Sequence, residues 1–234
     1  MIYGPGVQRV HISRRGVLGL GAAALAAGSL RPANVFGEPA APGSVPATPA
    51  AALAELTQGN ARFVKGELLQ PRRELERVRQ VAAKQEPYAA VLGCADSRVP
   101  IEIIFDEGFG DVFVVRVAGN IATPVEIASL EYGTAVLGTK VIMVLGHDDC
   151  GAVKAALAGM EVPGQISTLY QYIVPGIDRG NHDLGVAVRA NVKFQMRQLR
   201  EASPVIAAAV ERGTVQIVGG VFELMTGRVV PVEG

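Results

Sequence analysis

The sequence predicts an α/β fold, with a mainly parallel central sheet and flanking helices. Three observations predict it. Short apolar runs recur at 88–93 ("YAAVLG"), 112–118 ("VFVVRVA"), 141–146 ("VIMVLG") and 215–221, the pattern of strands buried on both faces. Stretches with helical spacing lie between them, and such alternation builds βαβ units around a parallel sheet. Two of the runs end in reactive residues, Cys94-Ala95-Asp96-Ser97-Arg98 and His147-Asp148-Asp149-Cys150-Gly151. Ligand sites in open parallel sheets form beyond the carboxyl ends of the strands.

The first element in chain order is a leader. Ser13-Arg14-Arg15 precedes the apolar run Gly16 to Leu30, which suits a signal segment and falls short of the roughly 20 residues of a spanning helix. Paired arginines before such a run resemble the twin-arginine export signal. A tail anchor, or a mis-assigned start with a fortuitous Arg pair, is the competing reading. No cysteine follows the run for a lipid anchor. Residues 1–30 are therefore expected to be a twin-arginine-like signal segment, 31–49 a Pro/Ala-rich linker, and 50–234 the functional domain. The expected location is the periplasm or the extracellular space, with no stable membrane insertion after cleavage.

Ala50 to Lys65 has helical spacing, and Pro71 starts a second predicted helix, 71–85, rich in charge and surface-lying. Further helices are expected over Pro124 to Leu137, Ala152 to Ala158 and Asp183 to Ala202, and a last edge strand over Arg228 to Val232. Apolar residues make up 49% of the 234, and the formal net charge is zero. That composition supports a packed core and carries no electrostatic footprint of a nucleic-acid partner.

Cys94 and Cys150 are the only cysteines, and His147 stands three residues before the second. Two thiolates and one imidazole make a three-ligand zinc set that leaves a fourth position open. A Cys94–Cys150 disulfide is one alternative, and two buried structural thiols beside a core histidine is another. The flanking Asp96 and Arg98 gain nothing from a disulfide. Beside a metal, a carboxylate can orient an attacking water, and a guanidinium two residues along can hold that carboxylate off the open position. His11 belongs to the leader, and His182 reads as a loop residue without a role. No C-x-x-C pair points to thiol–disulfide exchange.

"CADSRVP" together with "GHDDCGAV" resembles the paired C-x-D-S-R and H-x-x-C-G motifs of the β-class carbonic anhydrases. The likeness extends through "GNARFVKGE" near Asn60, "FVVRVAGN" at 113–120, "IASLEYGTAVLG" at 127–138 and "GGVFELMTGRV" at 219–229. The resemblance implies reversible CO₂ hydration by zinc-bound hydroxide, with one Zn²⁺ per subunit held by Cys94, His147 and Cys150. It implies a catalytic dyad of Asp96 and Arg98, and a substrate pocket with Gln85, Phe113 and Tyr132, the last two contributed across a dimer boundary. CO₂ and bicarbonate are the implied ligands, and a homodimer or higher homo-oligomer the implied state. Some family members carry a tryptophan three residues before the first zinc cysteine, in a pocket where bicarbonate inhibits; Val91 occupies that place here. An open site without that lock is therefore expected. A hydrolase of CO₂ analogues such as carbonyl sulfide or carbon disulfide, and a non-catalytic zinc-stabilised binding protein, are the alternative functions.

Overall fold

A computed structural model describes residues 45–234. The expected signal segment and most of the linker lie outside them. α1 (Pro49–Lys65) starts at Thr48, whose hydroxyl accepts from the Ala51 N–H, with Pro49 in the first turn. The predicted second helix shrinks to α2 (Leu75–Val81). The difference has a physical cause. Gln70 and Arg72 take left-handed backbone conformations, and Arg72 and Arg73 reach away to the buried acids Asp111, Glu107 and Asp106. Asp106 also accepts the Leu69 and Gln70 N–H groups. Residues 69–73 form a strap tied to the 106–111 loop, and the chain cannot turn helically until it is clear of it.

The sheet contains β1 (Ala89–Gly93), β2 (Val112–Arg116), β3 (Val141–His147), β4 (Gln216–Phe222) and β5 (Val229–Val232) in the order β2-β1-β3-β4-β5. β1 runs parallel to β2 and β3, β3 parallel to β4, and only β5 is antiparallel. The expected mainly parallel α/β sheet is present. β1 and β3 are buried along their whole length, as their unbroken apolar runs imply. β2 is not: it is half-buried, because it is an edge strand with a neighbour on one side only. An uninterrupted apolar run does not by itself distinguish a central strand from an edge strand.

Side chains alternate between two cores. Ala90 and Leu92 of β1, with Ile142 and Val144 of β3, join one cluster with Leu130, Val153, Val192 and Ile206. Those four come from α4 (Pro124–Ala135), α5 (Gly151–Ala158), α7 (Leu184–Ala202) and α8 (Pro204–Glu211). Ala89, Val91, Val141 and Met143 join the other, with Leu56 of α1 and Ile101 and Ile104 of the short α3 (Ile101–Ile104). The period of two along each strand thus places helices on both faces. Sequence periodicity did not foresee α3, α8 or the turns and short α6 (Tyr170–Ile173) between 164 and 176. The four-residue α3 and α6 carry too little periodicity to register.

β1 leads to β2 at one edge, whereas β3 leads to β4 and β5 towards the other. The strand order reverses between β1 and β3, and the crevice at their carboxyl ends is the topological switch point. Among the described residues, no helix is long and apolar enough to cross a membrane.

Candidate metal centre

The switch point gathers the reactive residues. Cys94 directly follows β1, His147 ends β3, and Cys150 caps α5 three residues later. One ligand atom from each lies within 4.8 Å of the other two, and all three side chains are buried. Both cysteines are free, so the disulfide alternative is not what the fold builds. Metal–sulfur and metal–nitrogen arms of about 2.3 and 2.0 Å fit a shared ion in such a cluster.

The donor chemistry fits as well. His147 Nδ1 lies 2.8 Å from the Asp148 carbonyl and donates to it, which leaves Nε2 as the bare nitrogen. Nε2 is fully buried and has no hydrogen-bond partner. An orphaned buried acceptor is costly unless something is meant to occupy its lone pair. Hydrogen bonding from the Cys150 thiol proton lowers the Cys94 pKa against its burial, and Cys150 is raised in return. A cation that takes both sulfurs as thiolates displaces that proton.

Asp96 and Arg98 form the pair the sequence indicates. Arg98 Nε and Nη2 donate to the two carboxylate oxygens at 2.9 and 2.8 Å, and the Arg98 backbone N–H adds a third bond at 2.9 Å. This clamp holds the Asp96 carboxyl well below the usual carboxylate range. Asp96 Oδ2 lies 3.8 Å from His147 Nε2, so the carboxylate edge looks onto the cluster. Arg98 also reaches the Asp149 carboxylate at 3.7 Å and borders an open cleft of about 800 Å³. None of the three candidate ligands lines that cleft, so it flanks the chemistry without containing it.

Other supporting residues escaped the sequence reading. Arg116, the last residue of β2, donates to the carbonyls of Cys94 and Asp96 at 2.8 and 2.5 Å, fixing the turn that carries both. Its charge at the end of an apolar strand was the available signal. Asp148 ties the histidine turn down, its carboxylate accepting from the Leu224 N–H at 2.9 Å.

The expected pocket residues stand elsewhere in this chain. Gln85 is exposed and precedes β1, at the opposite end of the strand from Cys94. Five residues at about 3.3 Å each separate the two ends by roughly 16 Å. Phe113 pairs with Ala90 in the amino-terminal half of β2, and Tyr132 sits on α4 with its ring centroid 6.2 Å from that of Phe113. Within one chain, none of the three is brought to the cluster.

A family model described as "Carbonic anhydrase" matches residues 89–229, which include every residue of the cluster and the Asp–Arg pair. The chain belongs to the β-class carbonic anhydrases. It is 41% identical over 189 residues to a carbonic anhydrase of Mycolicibacterium smegmatis, covering 77% of this chain and 92% of that one. It is 38% identical over 193 residues to carbonic anhydrase 2 of Mycobacterium tuberculosis, covering 78% and 92%. Among solved structures, a tetrameric β-carbonic anhydrase of Sordaria macrospora superposes with a TM-score of 0.61 at 29% identity, over 67% of this chain and 85% of that chain. β-carbonic anhydrases use zinc, and the Cys94–His147–Cys150 group offers this chain's candidate ligands for it.

Proposed function

We propose that this β-carbonic anhydrase interconverts CO₂ and water with bicarbonate and a proton at the Cys94–His147–Cys150 cluster. The observation that carries the reading is the unpartnered His147 Nε2 between two free thiols, faced by a carboxylate that Arg98 already holds. Cys94, His147 and Cys150 are the residues that would hold Zn²⁺, the histidine through Nε2. When bound, that ion supplies the Lewis acidity that makes water a nucleophile near neutral pH. Asp96 Oδ2 accepts a hydrogen bond from the attacking water and aims its lone pair at the CO₂ carbon. Arg98 occupies the remaining lone pairs of Asp96, so the carboxylate orients water and stays off the open position. Cys94 and Cys150 pack in one core cluster with Ile121, Ala122 and Val153, an apolar wall suited to an apolar gas.

A second copy of the chain completes the pocket in this reading. Of Gln85, Phe113 and Tyr132, the last two lie on the half-buried β2 edge and α4, where Val125, Tyr132 and Val136 expose apolar surface. A homodimer formed through that side would cover it and present the three residues to the partner's cluster. The Sordaria relative's tetrameric state agrees with an assembled enzyme. Export is the companion proposal, resting on Arg14-Arg15 ahead of the apolar run.

The deciding measurement is stopped-flow CO₂ hydration by the purified protein, with zinc content and sedimentation read on the same sample. Hydration above background, about one zinc per chain and a dimer or larger species are expected; a zinc-loaded protein at the background rate would sink the enzymatic reading. For export, replacing Arg14 and Arg15 with lysine is expected to leave the protein in the cytoplasm. Undiminished secretion of that variant would remove the twin-arginine assignment.

A further inference from the structure

Two amides lie inside the apolar face of α7, where the proposed chemistry does not use them. Asn191 and Gln195 are one helical turn apart and expose 1% and 0% of their surface. Their neighbours on that face are Val188, Val192 and Leu199. Buried amides persist only where every polar atom has a purpose or a partner. Here each has one, and the bonds run in one direction. Gln195 Nε2 donates to Asn191 Oδ1 at 2.9 Å and to the Tyr172 carbonyl at 2.8 Å. Gln195 Oε1 accepts from the Ala122 N–H at 2.9 Å. Asn191 Nδ2 donates to the Gly119 carbonyl at 2.9 Å. The Gly119 N–H in turn points at the Cys94 sulfur, 3.3 Å away.

We propose that Asn191 and Gln195 are positioning residues for Cys94: they hold the 117–122 turn so that the Gly119 N–H donates to the Cys94 sulfur. The inference rests on the reading of Cys94 as a zinc ligand. The turn needs this support because it is strained and crowded. Gly119 has φ +79°, and a Cβ there would come within 3.0 Å of Ile173 and 3.3 Å of Ala152. Asn120 follows with φ +46° and a buried side-chain Nδ2 that has no partner. A turn in such a conformation persists where its surroundings over-determine it, and the two amides pin it at both ends, Gly119 and Ala122. An N–H donated to a thiolate stabilises the charged sulfur against protonation and fixes its direction. Both effects favour the metal-bound state, and outer-sphere partners of this kind are worth about 10–100-fold in metal affinity.

The test compares zinc-loaded parent, Asn191→Leu and Ser203→Ala proteins. Leucine is close in shape to asparagine but cannot donate to Gly119. Ser203 is an equally buried cap at α8, bonded to Glu131 and the Ile206 N–H, and serves as the destabilised control away from the turn. Zinc loss to an excess of chelator is followed in all three, and the sulfur-to-metal charge-transfer band is recorded in the cobalt-substituted forms. Asn191→Leu is expected to release zinc about tenfold faster than Ser203→Ala and to shift the band. If Asn191→Leu is not recovered folded, Gln195→Met removes the Ala122 acceptor and carries the same expectation. Release at the control rate with an unmoved band overturns the positioning role while leaving Cys94 a ligand. A parent that holds no zinc overturns the ligand reading, and the inference with it.

Discussion

Cys150→Ser is expected to leave the protein folded, without its zinc, and with CO₂ hydration at the uncatalysed background. The fold should survive because Cys150 is the residue before the first turn of α5, and serine is a strongly favoured helix cap. The volume change is small, so little packing is lost even at a site only 1% exposed. The metal should be lost because the exchange removes an ionisable soft donor. A thiol gives up its proton readily to zinc, whereas a serine hydroxyl stays neutral at pH 7 and binds weakly. One thiolate and one imidazole would then be left to grip an ion that needs three protein donors to keep one position open. Affinity should fall by well over the roughly 100-fold that outer partners are worth. Metal analysis after dialysis, stopped-flow hydration and a far-UV spectrum on the same sample check all three parts. A folded variant with full zinc and parental rate would remove Cys150 from the site. Thermal stability should also fall, because bound metal stabilises the native state by mass action; zinc added back should not restore it.

Much of this site was legible because its chemistry is concentrated in two short segments. A cysteine directly after an unbroken apolar run, and H-x-x-C after another, place ligands at strand ends. Parallel neighbours β1 and β3 then bring them together without further information. The strand alternation was readable for the same reason, since buried parallel strands are written as apolar runs. What was not readable depends on pairing in space. The edge position of β2 follows from strand order, which apolar content does not encode. The shortening of α2 follows from Arg72 and Arg73 finding acids more than 30 residues away. Asn191 and Gln195 left a trace, two amides spaced i, i+4 on an apolar stripe, but their partner Gly119 lies 72 residues from Asn191. Gln85, Phe113 and Tyr132 mark a different limit. Within one chain they stand away from the cluster, so any role in the pocket belongs to an assembly of chains.

Asp96→Asn is the sharper probe of mechanism, because it should separate holding the ion from using it. The three candidate ligands are untouched, so zinc content should stay at the parental level. Hydration should nonetheless fall by about 10²–10⁴-fold, the usual worth of a positioned acid–base group. Arg98 binds the native carboxylate through both oxygens, at 2.9 and 2.8 Å, and an amide offers only one acceptor. If the amide oxygen stays with Arg98, its NH₂ faces the cluster and donates where the carboxylate should accept. If the amide turns over, its NH₂ meets the Arg98 guanidinium, donor against donor, and the clamp opens. Neither orientation leaves an acceptor aimed at the attacking water with the two-pronged clamp intact behind it. Arg98→Lys should fall between parent and Asp96→Asn, since lysine keeps the charge but loses the planar two-pronged grip. Both variants bearing full zinc and the parental rate would mean that the Asp96–Arg98 pair is only a turn brace. Full zinc with slow hydration in Asp96→Asn, and an intermediate rate in Arg98→Lys, would place water orientation in the carboxylate and its restraint in the guanidinium.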